Sequence, residues 1–179
     1  MADLSASRRW QLRALFVLIG ALVYFVQLLP LQTSPGIWPW PDLVLLTGLC
    51  WVLRRSEVMP LWLFTIMALL GDILLMRPLG LWAAASVIAL EFLRTREPTS
   101  RDMPLGVEWA MVAAVLVLMY LGTMLTLVIF VASRPPLNLL AVEFLMTVFA
   151  YPLVVLTTRH GLRLRKIGRG QYGALGSRV

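Results

Sequence analysis

The sequence predicts an all-α integral membrane protein: a six-helix transmembrane bundle with both termini cytoplasmic. Three observations predict it. The first is composition: 60% of the 179 residues are apolar and 14% charged, and mean hydropathy is +0.83. A soluble domain averages about 45–50% apolar residues, and a globule of this size cannot hide the excess in one core. The same figures exclude a disordered chain, which would be charged and poor in apolar residues. The second is the division of the chain into six apolar stretches by proline and arginine. The third is charge placement, because 14 of the 16 basic residues fall on one side of the membrane if the stretches cross in alternation.

The first stretch, residues 12–29, measures about 27 Å as a helix. Arg8, Arg9, Trp10 and Arg13 lie at its start, and Pro30 closes it. A charged start before an apolar run also describes a signal peptide. No A-x-A site follows, so a retained signal anchor is expected. The second, residues 42–53, is too short to cross ~30 Å of hydrocarbon as a straight helix. Before it, Pro35-Gly36-Ile37-Trp38-Pro39-Trp40-Pro41 cannot supply a full set of helical hydrogen bonds. Trp38 and Trp40 suit an aromatic belt at the membrane surface. A shortened helix with an extended, tryptophan-anchored lead-in is expected.

The third stretch is 60–76, with proline at its start where a missing N–H does no harm. The fourth is 79–93, and Arg77-Pro78 between them predicts a tight helical hairpin. The fifth, 107–131, is long enough to span with tilt. Ser133-Arg134-Pro135-Pro136 separates it from the sixth, 137–158, in which Pro152 predicts a kink. Residues 1–158 therefore form one transmembrane domain, and 159–179 form a basic cytoplasmic tail. That tail is expected to lie on anionic lipid, at about 1 kcal/mol per basic residue near the surface. With the N-terminus inside, only Arg77 and Arg134 fall outside, as the positive-inside rule requires. The charge of +7 therefore points to a membrane surface and not to nucleic acid.

Ionisable groups within spans are costly, so each needs a reason. Asp42 stands at the start of the second helix, where a carboxylate caps free N–H groups. Asp72, five residues before Arg77, suits a local ion pair, a bond to neighbouring backbone, or a partner contact. Glu143 is the most deeply placed carboxylate by position. Glu143, Thr147, Tyr151 and Thr158 share one helical face, as do Thr65, Ala68 and Asp72, and Arg13, Gly20, Tyr24 and Gln27. Such faces turn inward for hydrogen bonds between helices, at about 0.6–2 kcal/mol each, or line a cavity or a partner interface. Ala85-x-x-x-Ala89 and Gly122-x-x-x-Thr126 would let helix backbones approach each other. Glu91 and Glu108, near Arg94, Arg96 and Arg101, read as interfacial ion pairs.

The single Cys50 excludes an internal disulfide, and the single His160 leaves no histidine cluster. No phosphate-binding glycine loop, H-E-x-x-H or serine–histidine–carboxylate set is present. The expectation is a protein that is not an enzyme and needs no cofactor or metal.

Pro41-Asp42-Leu43-Val44-Leu45-Leu46, Trp51, Leu70-Gly71-Asp72 and Pro78-Leu79-Gly80-Leu81 together resemble the MreD family of rod-shape-determining proteins. The chain length, the six stretches and Pro152 before a basic tail extend the resemblance over the whole chain. Where the family commonly carries glycine four residues before the aspartate of the third helix, this chain has Ala68, with Gly71 beside Asp72. The resemblance implies a non-catalytic inner-membrane scaffold of the cell-elongation machinery. It implies binding to MreC, a direct or indirect link to MreB filaments, and work beside RodA and its class B penicillin-binding protein in side-wall peptidoglycan synthesis. It makes Pro41, Asp42, Trp51, Asp72, Arg77, Pro78, Gly80, Glu143 and Pro152 candidate partner-interface or structural polar positions. The family is also similar in fold to substrate-binding subunits of energy-coupling-factor transporters. A small-solute-binding transporter subunit is therefore the alternative, with Asp42, Asp72, Arg77 and Glu143 as its lining.

Overall fold

A computed structural model describes residues 6–29, 39–100, 103–130 and 136–161. Among them the chain is all-helical: α1 (Ala6–Leu28), α2 (Leu43–Arg54), α3 (Leu61–Leu74), α4 (Leu81–Ser100), α5 (Leu105–Ile129) and α6 (Leu137–Gly161). α1, α5 and α6 are long and apolar enough to cross a membrane, and α2 and α3 are shorter apolar helices. Pro35 to Trp38, residues 133–135, Arg101 and the residues beyond 161 lie outside the described residues.

α2 is the axis of the molecule. Every residue from Val44 to Arg54 is buried, as expected of a helix that is apolar on all sides. α1, α3, α4 and α6 pack directly on α2, while α5 closes the outside between α4 and α6. A helix enclosed in this way has no lipid thickness to match, which is why twelve residues suffice.

Local signals set the helix starts. Pro60 and Pro104 precede α3 and α5 in extended conformation, and their carbonyls accept the first backbone bonds, from Phe64 and from Val107 and Glu108. Asp42 caps α2, its Oδ1 accepting from the Leu45 N–H at 3.0 Å. α3 ends in a Schellman turn, with Arg77 N–H on the Asp72 carbonyl at 3.0 Å and Met76 N–H on Ile73 at 3.4 Å. Glycine usually holds the left-handed position of that turn. Here Met76 does, with φ 51°.

The packing of α1, α2 and α3 depends on two close approaches. A Cβ at Gly48 would run into the Phe64 ring, and one at Gly71 would meet the Tyr24 hydroxyl. That hydroxyl donates to the Met67 carbonyl at 2.9 Å. Gly71 thus accommodates a tyrosine of α1. Phe16 stacks beside Trp51 and Phe64, with centroids 5.8 and 6.4 Å apart. Trp51 belongs to this core, not to a surface.

Two helices extend well past their apolar stretches. α4 runs to Ser100 where apolarity stops at 93, and α1 starts at Ala6, not 12. Hydropathy reports the surrounding medium, whereas backbone hydrogen bonding continues past it. Arg94 pairs with Glu91 one turn earlier at 3.5 Å, and Leu93 and Glu97 are still buried. Arginines also secure the turn after α2. Arg13 donates to the Glu57 and Val58 carbonyls at 3.2 and 3.4 Å, and Arg94 to Met59 at 2.8 Å.

Candidate functional site

Two polar clusters sit at the two ends of α2. The first gathers Asp42, Glu143 and Trp82 around the Arg77 guanidinium. Arg77 Nη1 lies 3.1 Å from Asp42 Oδ2, and Nη2 lies 3.2 Å from Glu143 Oε1. The Trp82 indole N–H donates to the same Asp42 oxygen at 2.9 Å, and Arg77 stacks on the Trp82 ring at 4.9 Å. The Asp42 N–H donates to the Thr147 hydroxyl at 3.3 Å, which in turn donates to the Glu143 carbonyl at 2.7 Å. Tyr120 packs edge-on against Trp82 and Phe144. The Schellman turn at Met76 aims Arg77 back into this cluster. Burial works against its charge, but the flanking Asp42 and Glu143 carboxylates outweigh it and hold its pKa above the ordinary guanidinium value.

Asp72 does not pair with the Arg77 side chain. Its Oδ2 accepts the backbone N–H groups of Gly80 at 2.9 Å and Ala83 at 3.2 Å. A carboxylate of α3 thereby caps α4, satisfying N–H groups that a helix leaves unpaired at its start. Gly80 reaches that position with φ +82°, a conformation that side chains disfavour. Of the two roles expected for Asp72 within the chain, an ion pair and a backbone bond, the structure contains the backbone bond.

The second cluster corrects the expectation for Glu108. Expected at an interface, Glu108 is instead buried, its Oε1 meeting Arg54 Nη1 at 3.1 Å with both side chains at most 2% exposed. The Tyr151 hydroxyl donates to the same oxygen at 2.6 Å. Arg54 also donates to the Cys50 carbonyl at 3.1 Å, and the Cys50 thiol approaches the Thr158 hydroxyl at 3.7 Å. Glu108, not Glu143, is the more deeply buried carboxylate: Glu143 keeps 20% of its side chain exposed. A signal for this was present, because Glu108, Val112, Val115 and Met119 fall on one helical face. Trp82 and Trp109 were also missed, since hydropathy treats tryptophan as neutral.

Trp109 answers Pro152. Proline has no N–H, so the Val148 carbonyl four residues earlier loses its helical partner. The Trp109 indole N–H donates to that carbonyl at 2.9 Å, and α6 continues through Pro152. Trp109→Phe is expected to cost about 1–3 kcal/mol, the range for orphaning a buried acceptor. Adding Pro152→Ala gives Val148 a backbone partner and is expected to return part of that loss in thermal melts. Purely additive losses would rule the compensation out.

α4 and α5 pack on each other, and Ala85, Ala89, Gly122 and Thr126 line a groove of about 450 Å³ between them.

No family model, curated protein or solved structure matches the chain.

Proposed function

We propose that this chain is a non-catalytic scaffold of the bacterial inner membrane, an MreD-like component that binds MreC and links MreB filaments to side-wall peptidoglycan synthesis. One observation carries the reading. The separated motifs on which the resemblance rests, around Pro41-Asp42, Gly71-Asp72 and Pro78-Leu79-Gly80, belong to one spatial unit through Arg77 and the Asp72 cap. The six-crossing topology with both ends cytoplasmic rests on arginine placement, and it puts this unit on the periplasmic side.

The transporter alternative needs carboxylates that face a solute. Here Asp42 bonds Arg77, Trp82 and Leu45, and Asp72 bonds the backbone of α4. The space beside Asp42 is about 10 Å³, room for about one water, and the larger cavity of about 120 Å³ beside Glu143 and Arg77 is otherwise lined mainly by apolar side chains.

The candidate positions divide by exposure. Asp42, Trp51 and Asp72 are buried and hold the fold, whereas Pro78 is exposed, as are its neighbours Met76 and Leu79, at 94% and 72%. A partner helix would meet that rim. Affinity purification of the tagged protein from its own membranes in mild detergent is expected to recover MreC with RodA or its penicillin-binding partner. Met76→Asp combined with Leu79→Asp is expected to lower MreC recovery at least about tenfold, equivalent to 1.4 kcal/mol, with the melting temperature unchanged. Recovery of transporter ATPases instead would overturn the reading.

A further inference from the structure

The groove between α4 and α5 has a built interior. Ala89, Val115, Met119 and Thr123 form a buried floor, and Ile88 and Leu118, 70% and 69% exposed, form the rim. Leu81 and Thr123 are shared with a second cavity of about 120 Å³ whose lining includes Arg77, Trp82 and Glu143. The two cavities therefore adjoin, the larger lined almost wholly by apolar side chains and the smaller carrying the charged groups near the α2 N-terminal end. Gly122 stands in the wall of the larger, and a Cβ there would meet nothing within 4 Å. Glycine inside a helix costs about 1 kcal/mol relative to alanine, and nothing inside the chain requires it.

We infer that these adjoining cavities bind one membrane lipid with a primary-ammonium headgroup, of the phosphatidylethanolamine class. Its hydrocarbon chain lies between α4 and α5, and its headgroup lies at Glu143 and Arg77. From Leu81 to Phe92 the groove runs about 17 Å along α4. A helix with side chains is about 10–12 Å across, whereas a single hydrocarbon chain is thinner and suits a groove whose floor lies between two helices packed on each other. Charge selects the headgroup. Asp42 and Glu143 together face one guanidinium, so ionised they leave a net negative charge. An ammonium fits Glu143 while its phosphate faces Arg77. A headgroup bearing phosphate alone would add a second negative charge beside two carboxylates.

The test is native mass spectrometry of the full chain in detergent, with equal additions of phosphatidylethanolamine and phosphatidylglycerol of the same acyl chains. One bound phosphatidylethanolamine is expected, retained about tenfold over phosphatidylglycerol, a ratio that corresponds to 1.4 kcal/mol. Glu143→Gln is expected to remove the preference. Gly122→Leu, which has open space inside the chain, is expected to cut retention of both lipids about tenfold at an unchanged melting temperature. Equal retention of the two lipids by the parent, or full retention by Gly122→Leu, would overturn the assignment. So would crosslinking from position 122 in native membranes that captures a protein helix and no lipid. If Glu143→Gln fails to fold, the lipid comparison and Gly122→Leu still decide.

Discussion

Glu108→Ala is expected to lower the unfolding free energy by about 3–5 kcal/mol, the loss that follows when one partner of a buried ion pair is removed. The change leaves the Arg54 guanidinium, 2% exposed, facing a void, and takes the acceptor from the Tyr151 hydroxyl. Arg54→Met is expected to cost a similar amount by stranding the carboxylate. The double variant Arg54→Met with Glu108→Leu carries no buried charge, so its loss should fall well short of the sum. Well-packed apolar replacements of buried pairs are often neutral or stabilising. Denaturant or thermal unfolding in detergent, followed by circular dichroism, measures all three. Single variants within about 0.5 kcal/mol of the parent, the range for surface changes, would contradict the buried pair.

Asp72→Ala is the second large effect, at an expected loss of about 2–6 kcal/mol, because two N–H groups at the start of α4 each lose an acceptor worth roughly 1–3 kcal/mol when orphaned. Asp72→Asn keeps one oxygen for the same two donors and should lose less. Thr65→Ala, on the same helical face but bonded only to its own turn at the Leu61 carbonyl, should change little. Equal losses for Ala and Asn would mean that charge, not the cap, matters at this position. The result also bears on function. Failure of Asp72→Ala to recover MreC would report a broken α3–α4 hairpin, so the partner surface has to be probed at Met76 and Leu79.

The hairpin shows how far the linear chain can be read. Arg77-Pro78 between two apolar stretches foretold a tight connection, and α3 and α4 pack together. The residues that make it tight are Met76 in a left-handed turn and Asp72 capping the next helix, and neither carries a local signature. Methionine is not the residue expected at a Schellman position, and an aspartate eight residues before its N–H partner matches no capping box. The inward faces of α1 and α6 were legible from period alone, because Tyr24, Thr147, Tyr151 and Thr158 are all buried.

The sequence by itself determined the helical class, the membrane-like medium of the long helices, and the faces that α1 and α6 turn inward. These follow from composition and a 3.6-residue period, both of which act over short stretches of chain. Tertiary structure alone decided which polar groups meet. Arg54 and Glu108 lie 54 residues apart, and Arg77 lies 35 and 66 residues from Asp42 and Glu143. Those pairings depend on the order and rotation of helices around α2, set by close packing at Gly48 and Gly71 and by the cap at Asp72. No window along the chain contains that information, because each pair forms only when two helices have already taken their places against a third.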